Sequence, residues 1–310
     1  MTYIVDAVRT AIGNYGGTLK DVRTDDLASI PIKELIKKTQ IDPSHIDDVI
    51  IGCANQAGED NRNVARMALL LAGIPYNVPG ETINRLCASG MSSIIHAHRA
   101  IRANDGDLFI SGGVENMTRG PLVISKASTA YGRDSKMFDS SFGWRFINPL
   151  LDKLYGTDSM GTTAENLVSK YNISREDQDK FAYNSQMKAS LSQKNGVFEQ
   201  EIVKVIITQR KKEDIIFDKD EFIKPNTSVE ILSKLRAAFK KDGSVTAGNS
   251  SGLNDGAAAM LLSSDEGLKK FNLKPKARII SSAVVGVEPK IMGIGPVYAS
   301  TKALNKANLS

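Results

Sequence analysis

Asp48-Val49-Ile50-Ile51-Gly52 reads as a buried strand that ends on a glycine, and Leu108-Phe109-Ile110-Ser111-Gly112-Gly113 repeats the pattern further on. Two helical patterns lie between them. Asn63 to Ala72 places Val64, Ala65, Ala68 and Leu69 on one face, and Met91, Ile94, Ile95, His98 and Ile101 recur at helical spacing. Upstream, Tyr3 to Ala7 is a short β-rich run. Asp25 to Lys38 carries Leu27, Ile30, Ile32, Leu35 and Ile36 at helical spacing, with Pro31 marking a break or an early turn. Repeated strand–helix alternation predicts an α/β sheet with covering helices.

From about Thr118 the character changes. Ser125 to Tyr155 is rich in Ser, Gly, Asp, Arg and aromatics and has weak periodicity. Helical patterns return at Thr162 to Tyr171 and at Ser174 to Leu191, the second opened by Ser174 with Asp177 three residues on. Lys204 to Lys224 looks extended and charged. This section is too long for a linker and predicts an inserted subdomain. Ser244 to Gly256 is rich in Gly, Ser and Asn, and Ala257 to Leu262 runs apolar back into the sheet. A last unit offers a strand at Ile279 to Val285 and a helix from Pro296 to about Asn308. A lone strand–helix pair cannot bury its apolar faces. The expectation is a chain cut short, or one that leans on something beyond it.

The chain has 310 residues, 41% hydrophobic and 24% charged, which is globular composition and argues against wholesale disorder. No stretch approaches eighteen uninterrupted apolar residues, and Met1 to Arg9 lacks a basic segment leading into an apolar core. Neither a transmembrane helix nor a secretory signal is expected. Two cysteines, Cys53 and Cys87, make no disulfide framework and suggest a reducing, cytoplasmic setting. The net charge is +5, but basic residues are interspersed with acidic ones, as in Gln209-Arg210-Lys211-Lys212-Glu213-Asp214. No basic stripe with interleaved aromatics stands out, so nucleic-acid binding is not expected. A mild positive field suits a small polyanionic ligand.

Cys87 is the most informative residue. It sits in Asn84-Arg85-Leu86-Cys87-Ala88-Ser89-Gly90-Met91, at the head of the helix predicted to follow. Backbone N–H groups and the helix dipole favour a thiolate there, and a thiolate is a nucleophile that can accept an acyl group. Ala88, Ser89 and Gly90 leave room for a substrate. The alternative is a buried structural cysteine. Cys53, after a strand and a glycine, reads as core. His45, His96 and His98 show no metal-ligand spacing, so no metal site is expected. Gly293-Ile294-Gly295-Pro296-Val297-Tyr298 begins like a dinucleotide loop but has Tyr298 at the third glycine position. There is no phosphate-binding Gly-x-x-x-x-Gly-Lys loop, no Gly-x-Ser-x-Gly elbow and no Cys-x-x-Cys pair.

Several stretches in chain order together resemble the thiolases. They are Asp6-Ala7-Val8-Arg9-Thr10, Asn61-Arg62-Asn63-Val64-Ala65-Arg66, Asn84 to Gly90, Gly112-Gly113-Val114-Glu115-Asn116-Met117, Met160-Gly161-Thr162-Thr163-Ala164-Glu165-Asn166, Thr246 to Gly252 and Met292-Gly293-Ile294-Gly295-Pro296. Gly58 to Asn63, Gly143 to Pro149 and Tyr155 to Met160 point within the family to enzymes acting on 3-oxoadipyl-CoA. Ser159 stands where acetoacetyl-CoA enzymes usually carry a histidine.

The resemblance implies a five-layered α-β-α-β-α fold of two similar halves, the second half truncated here. It implies residues 1–118 with 249–272 as the first half, 119–248 as an inserted loop subdomain covering CoA, and 273–310 as the start of the second half. Cys87 would form the acyl-thioester. Met160, Ala238, Phe239 and Ser251 fall where relatives contact CoA, and Lys224 stands where relatives often have an arginine near the adenine and phosphate end. Coenzyme A is implied as substrate, with no permanently bound cofactor. A homodimer or homotetramer in the cytoplasm is implied, with no membrane partner. Three family segments do not occur in these residues: Asn-Glu-Ala-Phe, Gly-His-Pro, and a second cysteine before a glycine run. In relatives they supply an oxyanion-hole asparagine, the histidine that activates the nucleophile and the cysteine that moves the α-proton. The expected reaction is thiolytic cleavage of a 3-oxoacyl-CoA, or the reverse condensation, with these residues alone lacking the full activity. The competing expectations are a catalytically impaired CoA-binding fragment and a condensing enzyme of the ketoacyl-synthase kind.

Overall fold

The computed structural model describes residues 1–310. In chain order the first elements are β1 (Thr2–Thr10), β2 (Gly13–Asn14), α1 (Thr24–Thr39), β3 (Asp48–Gly52), α2 (Val64–Leu71), β4 (Gly80–Ile83), α3 (Ser89–Arg102) and β5 (Leu108–Asn116). There follow β6 (Leu122–Ile124), β7 (Met137–Asp139), α4 (Pro149–Tyr155), α5 (Met160–Tyr171), α6 (Arg175–Lys194), β8 (Ile202–Val203), β9 (Val205–Ile207), β10 (Ile215–Phe217) and α7 (Val229–Ser233). The last are β11 (Asn254–Ser264), α8 (Asp265–Lys270), β12 (Ala277–Arg278) and α9 (Gly295–Ala307). Two compact units share the chain. The first gathers Met1–Pro121, Gly196–Phe222 and Leu253–Ile279, and the second gathers Leu122–Asn195, Ile223–Gly252 and Ile280–Ser310.

The first unit is an α/β layer structure on a sheet of order β12-β1-β11-β5-β3-β4. β5, β3 and β4 run parallel, while β11 is antiparallel to both β1 and β5. Successive side chains of a strand point to opposite faces. Val49 and Ile51 enter the larger core, with Leu27, Ile32 and Leu35 of α1 and Val64, Ala68 and Leu69 of α2. Ile50 enters the smaller core, with Phe109 of β5 and Ala97 and Ile101 of α3. Both faces of β3 are covered, which is why its sequence is continuously apolar rather than alternating.

Helix α1 runs unbroken through Pro31. A mid-helix proline costs about 3 kcal/mol, and the fully buried Leu27, Ile32 and Leu35 around it bury enough apolar surface to offset that. Residues 196–222, expected within the inserted segment, pack in the first unit. β8 pairs in parallel with β1, and Val205 and Phe217 are buried in the larger core. The strand expected over Ile279 to Val285 does not form. Only Ala277 and Arg278 pair with β1, as Ile4↔Ala277 and Tyr3↔Arg278. The Ile279 N–H then donates to the Thr2 carbonyl at 3.0 Å.

In the second unit, Ser159 caps α5 by accepting from Thr162 N, and Ser174 caps α6 by accepting from Asp177 N. The weakly periodic stretch before them holds β7, which pairs with β6 just upstream of it, and the short α4, started by an Asn148 cap and Pro149 in the first turn. No helix of the protein is long and apolar enough to cross a membrane.

Candidate active site

Strands β3 and β4 deliver the chain to one edge, and α3 starts there. A Cβ on Gly52 would lie 2.2 Å from the Ser89 carbonyl carbon and 2.4 Å from Gly90 N. Only glycine lets the head of α3 press so closely on the end of β3. Ser93, fully buried, ties α3 to β5: its hydroxyl lies 2.8 Å from Gly112 O and 3.0 Å from Gly112 N.

The loop before α3 is held by its own side chains. Asn84 Oδ1 accepts from Leu86 N at 2.8 Å, and Asn84 Nδ2 donates to Ala54 O at 3.0 Å. Ser89 Oγ accepts from Arg85 N and donates to Leu86 O. Leu86 takes a left-handed backbone, φ 50°. Cys87 follows it and is exposed, immediately before Ala88, the N-cap position of α3. Ser89 N donates to Leu86 O at 2.9 Å, and Ala88 offers the following N–H groups of α3 no side-chain acceptor. The buried-cysteine alternative therefore does not describe Cys87. It describes Cys53, which has no exposed surface, donates its thiol to Asp60 Oδ2 at 3.6 Å and is pushed far above the usual thiol range by burial.

Behind the loop, Cys53, Asp60 and Glu115 place their donor atoms within 4.8 Å of one another. Sequence reasoning did not find this group; the only signal was Glu115 inside the glycine turn of β5. Its carboxylate accepts from Ala54 N at 2.9 Å and Asn55 N at 3.0 Å, while burial holds its pKa above the usual range. Asp60 accepts from Gly58 N. A thiol kept protonated by burial is a poor metal ligand, so these contacts read as internal bracing.

In the second unit Met160 opens α5 and is exposed. Gly161 beside it makes room for the Phe239 ring: a Cβ there would lie 2.0 Å from Phe239 Cγ. Ala238 N donates to Val245 O at 2.9 Å. Met160, Ala238 and Phe239 are thus brought together at the start of α5. Two buried carboxylates, also missed from sequence, hold the loop leading to the exposed Ser251. Glu165 Oε1 accepts from Ser244 N at 2.8 Å and Val245 N at 2.7 Å. Asp179 Oδ1 accepts from Asn249 Nδ2 at 3.0 Å, and Asn249 Oδ1 accepts from Thr246 N at 2.7 Å. Lys224 is fixed elsewhere, its backbone N–H donating to Gln186 of α6 at 2.8 Å.

Known proteins resemble this chain along almost its whole length. A family profile described as "Thiolase, N-terminal domain" matches residues 2–266. The chain is 52% identical over 309 residues to the 3-oxoadipyl-CoA/3-oxo-5,6-dehydrosuberyl-CoA thiolase of Escherichia coli K12, covering 99% of this chain and 77% of that protein. It is 53% identical, with the same coverage, to the beta-ketoadipyl-CoA thiolase of Pseudomonas knackmussii. Among solved structures, Bacillus anthracis acetyl-CoA acetyltransferase superposes at a TM-score of 0.90 with 40% identity, over 100% of this chain and 77% of that one. Human mitochondrial 3-ketoacyl-CoA thiolase in complex with CoA superposes at 0.89 with 38% identity, over 100% of this chain and 76% of that one. These likenesses favour the thiolase reading over the ketoacyl-synthase one. With its α/β fold and a cysteine exposed at the head of a helix, this chain belongs to the thiolase family of acyltransferases.

Proposed function

We propose that the protein cleaves 3-oxoadipyl-CoA with CoA, giving acetyl-CoA and a shortened acyl-CoA, through an acyl-Cys87 intermediate. Cys87 Sγ attacks the C3 carbonyl carbon and the C2–C3 bond breaks. Its electron pair stays on C2 as the enolate of acetyl-CoA, which takes up a proton. The thiolate of a second CoA then attacks the acyl carbon and returns Cys87 to its thiolate. The positive end of α3, which has no side-chain cap, suits charge developing beside the sulfur. The relatives named for 3-oxoadipyl-CoA and beta-ketoadipyl-CoA support the dicarboxylic substrate, and the net charge of +5 suits a polyanion.

By the family resemblance, Met160, Ala238, Phe239 and Ser251 contact CoA and Lys224 serves its adenine and phosphate end. Coenzyme A is read as substrate rather than resident cofactor. Cys87 acylation is the step assigned to residues 1–310. A homodimer or homotetramer in the cytoplasm is read from the same resemblance. Light scattering behind size exclusion tests the first point, and a monomer at micromolar concentration would overturn it. Cell fractionation tests the second, and recovery with the membranes would overturn it.

One observation carries the reading: an exposed cysteine held immediately before the N-cap of α3. The test is incubation with acetyl-CoA followed by intact mass. An acetyl adduct that disappears in Cys87→Ser is expected. CoA binding with no adduct would replace this reading with that of a non-catalytic CoA-binding chain.

A further inference from the structure

We infer that Glu115, on β5, is a positioning residue for Cys87, acting through the turn at residues 53–55 and the side chain of Asn84. The inference rests on the reading of Cys87 as the acyl acceptor.

The links are continuous. The half-buried Glu115 carboxylate takes the N–H groups of two successive residues, Ala54 at 2.9 Å and Asn55 at 3.0 Å. Bonds to an ionised acceptor are roughly twice as strong as neutral ones, so the pair clamps that turn. The turn presents Ala54 O, which accepts from Asn84 Nδ2 at 3.0 Å. Asn84 Oδ1 accepts from Leu86 N at 2.8 Å, and Leu86 is the residue in the left-handed backbone immediately before Cys87. A leucine at positive φ stays there only when its surroundings hold it. Ser89 fastens the other end of the loop by bonds to Arg85 N and Leu86 O. Glu115 touches neither the cysteine nor the space in front of it by any of these bonds, so its effect is on where the sulfur points.

Burying a carboxylate is costly and is retained here against a bias toward protonation. Two backbone N–H groups need an acceptor with both oxygens free of hydrogen. Glutamine fills the same volume but presents an NH₂ to one of them, and that N–H goes unpaired. The turn then loosens without a cavity being made.

The test compares two modifications of the whole 310-residue chain. Acetyl transfer from acetyl-CoA needs the thiolate in a directed position, whereas alkylation by iodoacetamide needs only an accessible thiolate in no fixed orientation. Cys53, buried in the same cluster, reports local unfolding by becoming alkylated. In Glu115→Gln, acetyl transfer to Cys87 should fall about tenfold to a hundredfold, the scale of loss for a misplacement near 1 Å. Cys87 alkylation should stay within about twofold of wild type and Cys53 should stay unmodified, because exposure and fold are unchanged on this account. Asn84→Ala, at an exposed position, should show the same selective loss, and the double variant should be no worse than the more affected single one, since both act on one chain of contacts.

Equal falls in acetylation and alkylation, or unchanged acetylation in Glu115→Gln, would overturn the inference. If Glu115→Gln exposes Cys53, Asn84→Ala decides, and unchanged acetylation there overturns the inference. A wild-type chain whose Cys87 is alkylated but never acetylated would instead defeat the acyl-acceptor reading, and this inference with it.

Discussion

Gly52→Ala puts a single methyl group where the protein has no space for it. The new Cβ would lie 2.2 Å from the carbonyl carbon of Ser89, and 2.4 Å from both Ser89 O and Gly90 N. These are backbone atoms of the first turn of α3, so no side-chain rotation relieves the clash. Ordinary contact begins near 3.4 Å, so the head of α3 must retreat by roughly 1 Å, and overpacking that moves backbone costs about 3 kcal/mol, the upper end of its usual range. At about 2–4 °C per kcal/mol for domains of this order of size, the unfolding midpoint should drop by on the order of 10 °C. Ser89 carries the two bonds that hold the loop before Cys87, so the retreat moves the sulfur as well. Acetyl transfer from acetyl-CoA should fall about a hundredfold. Thermal unfolding by circular dichroism reads the first effect and time-resolved intact mass the second. Gly286→Ala is the control, because a Cβ there meets nothing within 4 Å. A Gly52→Ala chain that melts within about 2 °C of wild type and acetylates at the wild-type rate would refute the close-packing argument.

Glu165→Ala should destabilise the protein by about 1–3 kcal/mol, because it removes the buried oxygen that accepts from both Ser244 N and Val245 N and leaves those donors without it. Calorimetric titration with CoA should show weaker binding as the 244–251 loop loosens, and an unchanged melting point would refute the role given to Glu165. The Arg119 guanidinium holds the Glu59 carboxyl below its usual range, with the Thr24 N–H helping and burial opposing. A carboxyl with a lowered folded-state pKa contributes stability above the ordinary glutamate range and loses it as pH falls through the folded value. Urea midpoints between pH 6 and pH 3 should therefore fall less in Glu59→Gln than in wild type, and parallel slopes would refute the ion pair's contribution.

The elements that were legible in sequence are those with their own periodicity. The apolar runs at Asp48–Gly52 and Leu108–Gly113 are β3 and the first part of β5, and the helical patterns after Arg23, Asn63 and Cys87 are α1, α2 and α3. Pro31 misled locally because its cost is set against burial around it, and burial is not written in the neighbouring residues. The weakly periodic Ser125 to Tyr155 concealed β7 and α4, although Asn148-Pro149 was a start signal for the latter. Of the strand expected over Ile279 to Val285, only the preceding Ala277 and Arg278 pair, and a strand needs a neighbour that spacing along the chain does not reveal.

Cys87 was conspicuous from its own neighbours, since an amphipathic helix pattern just after a cysteine places the sulfur at a helix start whatever the rest of the chain does. Spacing along the chain decides helix, strand and the ends of each, because those depend on residues a few places apart. It could not decide between an exposed nucleophile and a buried thiol, nor name Glu115, Asn84, Glu165 or Asp179 as the groups that hold loops in place. Their partners are brought near by folding, as Glu115 is to Ala54 or Asp179 to Asn249. Hydrogen bonds and close packing act over a few ångströms in space, and only the folded chain sets which distant residues come that close.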